Sequence, residues 1–548
     1  MQRILLPMIA ACLTTQQGMA QEDNEIVLPH GKCGTAMLWQ KEMGNSNMES
    51  RAIGSYNPQY VPHTGNITIP VILVNFKDVK FTINNPKEAF EQFFNGTEQT
   101  SMGNGNAKNH GSVAGYFSDM SSGTFTPTFK IYGPVTLDNN EQVYGGNTHN
   151  TNADENPRKL VIDAIAKLQS SSESISDATA FCSDGSNVDC VYIIYAGVGQ
   201  NYSTYPNAKQ DVATAVWANT STVSGSLAGK NLHWYSMAGE LTPVKLNSSE
   251  SISTSNGTIP CIAGVGVTCH ELSHALGLPD FYPTSVSAQV DNQEMEYWDL
   301  MDGGEYANNG FSPTAYTAWE KQQMGWTVSI TELTADQQVT MDNSTEAGGT
   351  AYKIVNPDNS DEYFMLESIQ KKNWNQHQYG SGLLVYHVNE PNHGTVNIYD
   401  TYNNKKGFPG MAIVPADGAC LSAYVEANTD DYYTSLKGDL FPGTGNVSNM
   451  SVTELSDNHA QPNWCWYNAD KTATLATNKA LKNITYDTAS GIITFNYVHD
   501  VASGIVNIEQ DKASSHKIYT LDGRYVGQDL RVLPRGIYII GGKKIVKS

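Results

Sequence analysis

The sequence predicts an α+β domain, in which a mixed sheet packs against a metal-binding helix, followed by a β-sandwich domain. Three observations lead to this prediction. A His-Glu-x-x-His pattern at residues 270–274 lies in an apolar stretch of helical length. Strand-like and helix-like segments alternate before it. After residue 326, short β-rich segments are separated by turn residues, and little helix is indicated.

The sheet of the first domain is predicted from two apolar runs, residues 67–76 and 191–196, which have the length and β-branched content of buried strands. Between them, residues 157–168 carry apolar side chains at the spacing of an amphipathic helix. Together these segments indicate a mixed sheet that the motif helix covers.

The motif helix is predicted to begin near Pro260 and to run through the apolar residues 261–276. Residues four apart lie on one helix face, so the imidazoles of His270 and His274 can converge on one cation. Glu271 lies about 100 degrees around the helix, where its carboxylate can take a proton from a zinc-bound water. Two stacked histidines in a buried helix are costly without a metal, which favours a zinc site.

A third ligand is expected just after the helix. Gly277 can adopt the left-handed conformation that reverses the chain, which would bring Asp280 beneath the metal. In an alternative arrangement a glutamate farther along the chain completes the site, and Glu294 and Glu296 lie at a compatible separation.

The motif and its surroundings resemble the immune inhibitor A-like zinc metallopeptidases, whose helix reads His-Glu-x-x-His-x-x-Gly-x-x-Asp. The resemblance covers residues 66–498 and includes residues 112–123, 191–197 and 316–326. Met301, within Tyr-Trp-Asp-Leu-Met-Asp-Gly-Gly, resembles the methionine turn that floors the metal site of the metzincins.

This resemblance implies a zincin-like (metzincin-like) catalytic domain at residues 66–327 and a β-sandwich domain at residues 328–500. It implies a zinc endopeptidase acting on proteins or peptides, with Glu271 as the catalytic base. In this family an aspartate, here Asp280, replaces the third histidine of the wider metzincin group. Tyr306 is a candidate partner of the oxyanion.

The rival interpretation is a surface adhesin or glycan-binding protein whose β-domain binds the ligand while the zinc site is structural. Glu271 argues against it, because a purely structural zinc site needs no base.

Charge and the first residues indicate an exported protein. The formal net charge of −22 argues against nucleic acid or an anionic membrane as partner. Residues 1–20 have the positive, apolar and small-residue parts of a signal peptide, and lipoprotein cleavage before Cys12 is the alternative. No later apolar run reaches transmembrane length. We therefore expect a secreted or cell-surface protein, and a monomer.

The last residues, 501–548, combine short strand signals with a Gly-Ile-Tyr step and a basic end. They resemble the C-terminal sorting tails of type IX secretion substrates, which implies contact with that secretion machinery. A terminal hairpin of the mature protein is the competing interpretation.

Residues 21–65 form a candidate pro-segment, with a cut between Arg51 and Ala52. A thiolate from Cys33 could occupy the open position on zinc and keep a zymogen latent, but a disulfide or a plain free thiol is the favoured interpretation of Cys33.

The other cysteines suggest one disulfide. Cys182 and Cys190 flank a short turn-rich stretch and are predicted to close a hairpin. Cys261 and Cys269, if both helical, stand about 12 Å apart along the axis and cannot pair.

Within the same turn-rich stretch, Asp184 and Asp189 are candidate calcium ligands. The loop is shorter than the acidic loop usual in the resembling family, and a plain turn is the alternative.

Overall fold

The structure is a computed structural model of the 548-residue chain. It describes residues 51–52, 59–97, 109–146, 154–202, 214–241, 262–289, 294–390, 395–396, 398, 401–419, 432, 435–443, 451–501, 517–521, 523–527, 530–540 and 543–547. The predicted signal peptide, most of the predicted pro-segment, and Cys12, Cys33 and Cys261 lie outside these residues.

Residues 68–241 contain a mixed sheet of six strands in the order β3-β2-β4-β7-β5, with β6 beside β7. The strands are β2 (Thr68–Asn75), β3 (Thr128–Thr136), β4 (Asn187–Val198), β5 (Asn219–Thr222), β6 (Ser226–Leu227) and β7 (Lys230–Leu241). Strands β2, β3, β4 and β7 are parallel, whereas β5 and β6 run antiparallel to β7. The predicted mixed sheet is therefore confirmed.

Five α-helices occur in the part of the chain that the structure describes. They are α1 (Pro86–Asn95), α2 (Val113–Met120), α3 (Pro157–Gln169), α4 (Val265–Leu276) and α5 (Ala318–Gln323). Each of them is too short to span a lipid bilayer.

Helices cover both faces of the sheet. Alternate residues of each strand point to opposite faces, so each strand contributes side chains to both clusters. On one face, Ile72, Ile193 and Tyr235 share a buried cluster with α3. On the other face, Val71 and Tyr192 share a cluster with α4, which carries the His-Glu-x-x-His motif. The burial of both faces explains why the central strands are almost continuously apolar.

Two further sheets follow α5. A five-stranded sheet has the order β14-β12-β11-β10-β8, and a four-stranded sheet has the order β15-β18-β19-β9. Their strands are β8 (Ser329–Glu332), β9 (Gln337–Met341), β10 (Thr350–Asn356), β11 (Asn359–Ile369), β12 (Gly382–Asn389), β14 (Met411–Ile413), β15 (Leu455–Ser456), β18 (Ala480–Tyr486) and β19 (Ile493–Val498). The β-rich character predicted after residue 326 is confirmed.

The five-stranded sheet is buried on both faces. Phe364 and Val385 contribute to a cluster with Phe495 of the four-stranded sheet. Met365 and Tyr386, on the opposite face, belong to the same cluster as the motif helix. This sheet therefore joins the second half of the chain to the core around α4.

The remaining strands form small sheets. They are β1 (Arg51–Ala52) with β13 (Thr395–Val396), β16 (Trp466–Tyr467) with β17 (Thr474–Leu475), and a four-stranded sheet of β20 (Ile518–Thr520), β21 (Tyr525–Gly527), β22 (Gly536–Ile540) and β23 (Lys543–Lys547). The last sheet lies in the predicted sorting tail, whose role in export stays a prediction.

The segment at residues 59–63 packs against the six-stranded sheet and the motif helix. Tyr60 is fully buried and stacks on Trp234, with ring centroids 5.7 Å apart and an angle of 18° between the planes. The Tyr60 hydroxyl accepts a hydrogen bond from the Ile398 amide at 3.2 Å. The Val61 amide donates to the Ala275 carbonyl at 2.9 Å, at the end of the motif helix.

The predicted disulfide between Cys182 and Cys190 is wrong, because both thiols are free. Cys190 is a buried residue of β4, and its thiol lies 3.9 Å from the Ser236 hydroxyl. The Cys182 thiol instead donates to the Ala178 carbonyl at 3.3 Å. The two side chains therefore make separate contacts.

Candidate metal centre

The motif helix begins at Val265, later than the predicted start near Pro260. Ile262 forms an antiparallel bridge with Leu241, so the chain before the helix still extends the sheet. The first helical amide, that of Val265, is capped from outside, because it donates to the Asn109 side-chain oxygen at 3.0 Å. A distant asparagine therefore supplies the cap that no local residue provides.

Close packing also fixes where this helix begins. A Cβ atom on Gly266 would lie 1.9 Å from the Glu305 carbonyl oxygen, and one on Gly264 would lie 2.2 Å from the Gly310 carbonyl carbon. Residues Gly303–Gly310 form short 3₁₀ turns that cross the start of the helix. Only glycine allows the two backbones to approach this closely.

We predict that Gly266→Ala pushes the motif helix away from residues 303–310 and thereby destabilises the protein. The added methyl would meet a backbone carbonyl that cannot rotate away, and such overpacking costs about 1–3 kcal/mol or more. Thermal unfolding and zinc content of the purified variant measure the effect. Gly115→Ala is the control, because its Cβ would meet only the Ser112 hydroxyl at 3.3 Å. Equal stability of the two variants would contradict the prediction.

The helix ends as predicted at Gly277, whose φ of 106° is left-handed. Its amide donates to the His274 carbonyl at 2.8 Å, and the Leu278 amide donates to the Ser273 carbonyl at 3.1 Å. These bonds satisfy the last helical carbonyls and turn the chain back beneath the histidines.

The reversal brings three potential ligands together. Asp280 Oδ1 lies 3.4 Å from His270 Nε2 and 3.2 Å from His274 Nε2. All three side chains are buried, and their ligand atoms lie within 4.8 Å of one another. Among the described residues, no other group of three histidine, cysteine or acidic side chains is arranged in this way.

These residues fit a zinc ion. Two atoms bound to tetrahedral zinc at its usual bond lengths lie about 3.3 Å apart, close to the two measured separations. His270 Nε2 and Asp280 Oδ1 are buried without a hydrogen-bond partner, which is costly unless another group binds them. A cation between them would remove that cost.

Backbone carbonyls hold both imidazoles. His270 Nδ1 lies 2.9 Å from the Leu300 carbonyl, and His274 Nδ1 lies 2.7 Å from the Leu278 carbonyl. With Nδ1 protonated, each ring donates to its carbonyl and presents a lone pair at Nε2. The protein therefore orients both Nε2 atoms toward Asp280.

Met301 follows the residue that holds His270. It is fully buried, and its carbonyl accepts a bond from the Phe281 amide at 3.0 Å, next to Asp280. Its amide donates to Asp299 Oδ1 at 2.7 Å, and burial raises the pKa of Asp299. The turn around Met301 thus contacts both ends of the His270–Asp280 stretch.

Glu305 is a buried acid that sequence reasoning missed. Its Oε2 lies 3.8 Å from His270 Nδ1. Burial lowers the pKa of His270, but Glu305, Asp280 and Glu271 outweigh this and raise it to about 10. Burial likewise raises the pKa of Glu305 to about 8, although His270 opposes the shift. The cluster therefore attracts positive charge strongly.

The pKa of Asp280 shifts in the opposite direction, downward. Burial would raise the pKa of its carboxyl group, but His274 and His270 lower it to about 2. Asp280 is therefore ionised, as a metal ligand must be.

A hydroxyl group of the sheet contacts the Glu271 carboxylate. The Thr220 hydroxyl of β5 lies 3.0 Å from Glu271 Oε2 and 2.6 Å from the Glu271 carbonyl oxygen. Thr220 and Glu271 are 51 residues apart, and no pattern in the sequence links them.

The other predicted site residues lie outside this ligand group. Glu294 and Glu296 are buried, but their carboxylates do not belong to the group around Asp280. The Tyr306 hydroxyl accepts a hydrogen bond from Asn201 Nδ2 at 3.4 Å, and its role toward an oxyanion stays a prediction.

The two candidate calcium ligands bond within their own loop. Asp184 Oδ1 accepts the Ser186 and Asn187 amides, both at 2.7 Å. Asp189 accepts the Ser183 amide and its hydroxyl, the latter at 2.6 Å. These bonds favour the plain turn, since N–H and O–H groups already use the oxygens that calcium would need.

The sequence around the motif is similar to that of known proteins. Residues 64–328 match the model of the immune inhibitor A peptidase M6 catalytic domain. The match includes the whole first sheet, the motif helix and the turn around Met301. This part of the chain is therefore similar to a peptidase M6 catalytic domain.

Two relatives are more distant in sequence. The pre-pro-metalloprotease PrtV of Vibrio cholerae serotype O1 is 26% identical over 232 residues, which are 40% of this chain and 24% of that protein. Immune inhibitor A of Bacillus thuringiensis subsp. alesti is 24% identical over 369 residues, which are 64% of this chain and 45% of that protein. The chain therefore spans less than half the length of either relative.

Proposed function

We propose that the protein is a secreted zinc endopeptidase in which His270, His274 and Asp280 hold the metal and Glu271 is the general base. The observation that carries this proposal is the convergence of the three ligand atoms within 4.8 Å of one another, at a helix that also carries Glu271. The similarity to a peptidase M6 domain, to the pre-pro-metalloprotease PrtV and to immune inhibitor A supports it.

Zinc, when bound, would polarise the scissile carbonyl and make a water molecule more acidic at neutral pH. The Glu271 carboxylate takes the proton of the attacking water and later transfers it to the leaving amine. His270 and His274 keep their Nε2 atoms available, because the Leu300 and Leu278 carbonyls hold Nδ1. Tyr306 remains the candidate that would stabilise the oxyanion.

We infer that the first domain is zincin-like and that the second is a β-sandwich. The mixed sheet covered by the motif helix supports the first inference. The apolar cluster shared by the five- and four-stranded sheets supports the second.

Protein or peptide substrates outside the cell follow from the proposed activity and from the leader-like residues 1–20. The boundary of the pro-segment is proposed to precede residue 59, because Tyr60 and Val61 are buried in the first domain. A latency role for Cys33 and recognition of residues 501–548 by secretion machinery remain proposals that rest on the sequence.

The rival function is a surface adhesin or glycan-binding protein with a structural zinc site. Its β-rich domain would bind the ligand. Glu271 is the feature that disfavours it, since a structural site needs no buried base beside the metal.

Removal of the metal tests the proposal. We expect the purified, processed protein to contain about one zinc ion per chain and to cleave a general protein substrate such as casein. A chelator should abolish cleavage, and added zinc should restore it. His274→Ala should lose both zinc and cleavage, whereas His459→Ala should keep both, because the His459 side chain is 62% exposed.

Two results would count against the proposal. Cleavage that persists after zinc has been removed would exclude the zinc mechanism. A wild-type protein that holds zinc but cleaves nothing after processing would favour the binding-protein alternative.

A further inference from the structure

Two hydroxyl groups of the sheet face the catalytic base. Thr220 of β5 and Ser236 of β7 are directly opposite each other in an antiparallel pair, so both side chains point to the same side. Both residues are buried, and their hydroxyl oxygens lie 2.9 Å apart. The motif helix covers this part of the sheet, and Glu271 is the residue it places there.

The contacts of the two hydroxyls differ. Thr220 Oγ1 lies 3.0 Å from the Glu271 Oε2 atom and 2.6 Å from the Glu271 carbonyl oxygen. Ser236 Oγ lies 3.3 Å from the same carbonyl oxygen, and no contact with the carboxylate accompanies it. Thr220 is therefore the hydroxyl that bridges the main chain and the side chain of the base.

Counting protons assigns these contacts. Each hydroxyl has one proton to donate and can accept others. The Thr220 proton faces two acceptors, the Glu271 carbonyl oxygen at 2.6 Å and Glu271 Oε2 at 3.0 Å, so it is shared between them in a three-centre hydrogen bond. The Ser236 hydroxyl donates to the same carbonyl at 3.3 Å. Thr220 is thus the hydroxyl that ties the carboxylate to its own main chain.

We propose that Thr220 is a positioning residue that fixes the orientation of the Glu271 carboxylate through a hydrogen bond to Oε2. The inference rests on the proposed peptidase function and assigns Thr220 no direct part in the chemistry. A general base must lie within about 2.6–3.2 Å of the proton it takes, and a glutamate side chain has three rotatable bonds. A buried donor removes much of that freedom.

Threonine suits this role better than serine. Its branched Cβ restricts χ1, so the hydroxyl is itself held in place within the strand. The register Thr220↔Ser236 fixes the strand against β7, which in turn packs against the motif helix. The position of the hydroxyl therefore follows from the sheet.

Three variants test the inference. Thr220→Val replaces the hydroxyl with a methyl of similar size, and Thr220→Ser keeps the hydroxyl. Ser236→Ala removes the neighbouring hydroxyl, which lies 3.3 Å from the Glu271 main-chain oxygen and 2.9 Å from Thr220 Oγ1. We expect Thr220→Val to lower kcat by about ten- to a hundredfold, the effect of losing a hydrogen bond to a charged group, with KM and zinc content unchanged. Thr220→Ser and Ser236→Ala should stay within about threefold of the wild type.

The crystal structure of zinc-loaded Thr220→Val provides a readout that does not depend on turnover. We expect the Glu271 carboxylate to adopt another rotamer there and the three zinc ligands to keep their places. A kcat within threefold of the wild type, or an unmoved carboxylate, would overturn the inference. Equal loss in Thr220→Val and Ser236→Ala, together with lower thermal stability, would do the same by showing a purely structural role.

The two proposals fail separately. If the wild type binds zinc but cleaves nothing, the peptidase function fails, and the position of Glu271 in the Thr220→Val structure still decides the role of Thr220. If the wild type cleaves and Thr220→Val matches it, only the positioning role fails.

Discussion

Glu271→Gln is expected to lower kcat by about a hundred- to ten-thousandfold while zinc stays bound, the range that general acid–base catalysis contributes. Glutamine has nearly the same shape, and its oxygen can still accept the Thr220 hydroxyl that now bonds Glu271 Oε2 at 3.0 Å. It cannot take a proton from water. The measurement is kcat on a peptide cleaved by the wild type, together with the zinc content of both proteins.

Glu305→Gln is the matched control, because Glu305 is also a buried acid close to the ligands, with Oε2 3.8 Å from His270 Nδ1. It should weaken zinc binding by about ten- to a hundredfold, as groups that support a metal ligand usually do, and zinc-saturated kcat should change little. The base would be misassigned if Glu305→Gln abolished turnover and Glu271→Gln preserved it.

Tyr60→Ala is expected to reduce the free energy of unfolding by about 3–5 kcal/mol, the usual cost of deleting a buried aromatic ring. The ring stacks on Trp234, and its atoms lie 3.2–3.3 Å from where a Cβ on Gly277 would be. Its removal leaves a cavity beside the end of the motif helix. Urea unfolding at saturating zinc measures the change.

Tyr525→Ala serves as the control for this loss, because Tyr525 is 51% exposed in the last sheet and should change stability by less than about 0.5 kcal/mol. A loss below 1 kcal/mol for Tyr60→Ala would mean that the segment at residues 59–63 is dispensable. The proposed boundary of the pro-segment before residue 59 would then be wrong as well.

Patterns of local periodicity predicted much of the fold. The expected helix at residues 157–168 occurs as Pro157–Gln169, and the expected strand at residues 67–76 occurs as Thr68–Asn75. The helix carries apolar residues at regular spacing and the strand is a continuous apolar run, and both patterns are local signals. The place of Asp280 beside the two histidines was predicted because the glycine cap is also a local signal, and Gly277 does reverse the chain.

Features that depend on distant contacts were not predictable. The motif helix begins at Val265 because Ile262 still pairs with Leu241. The apolar residues before Val265 suit a strand as well as a helix, so the sequence did not show where the helix begins. Cys182 and Cys190 are close in sequence, yet the strand that contains Cys190 points its thiol toward Ser236. Glu305 and Thr220 reach the site from separate parts of the chain, so no spacing rule finds them.

His270, His274 and Asp280 lie within eleven consecutive residues, so the unfolded chain can gather them by closing a very short loop at little entropic cost. A metal that also binds the unfolded chain stabilises the native state by less than its native affinity alone would give. The Leu300 carbonyl, by contrast, reaches His270 only when the fold has formed. Zinc therefore raises the free energy of unfolding only by the difference between its binding free energy at the folded site and at the same short segment of the unfolded chain.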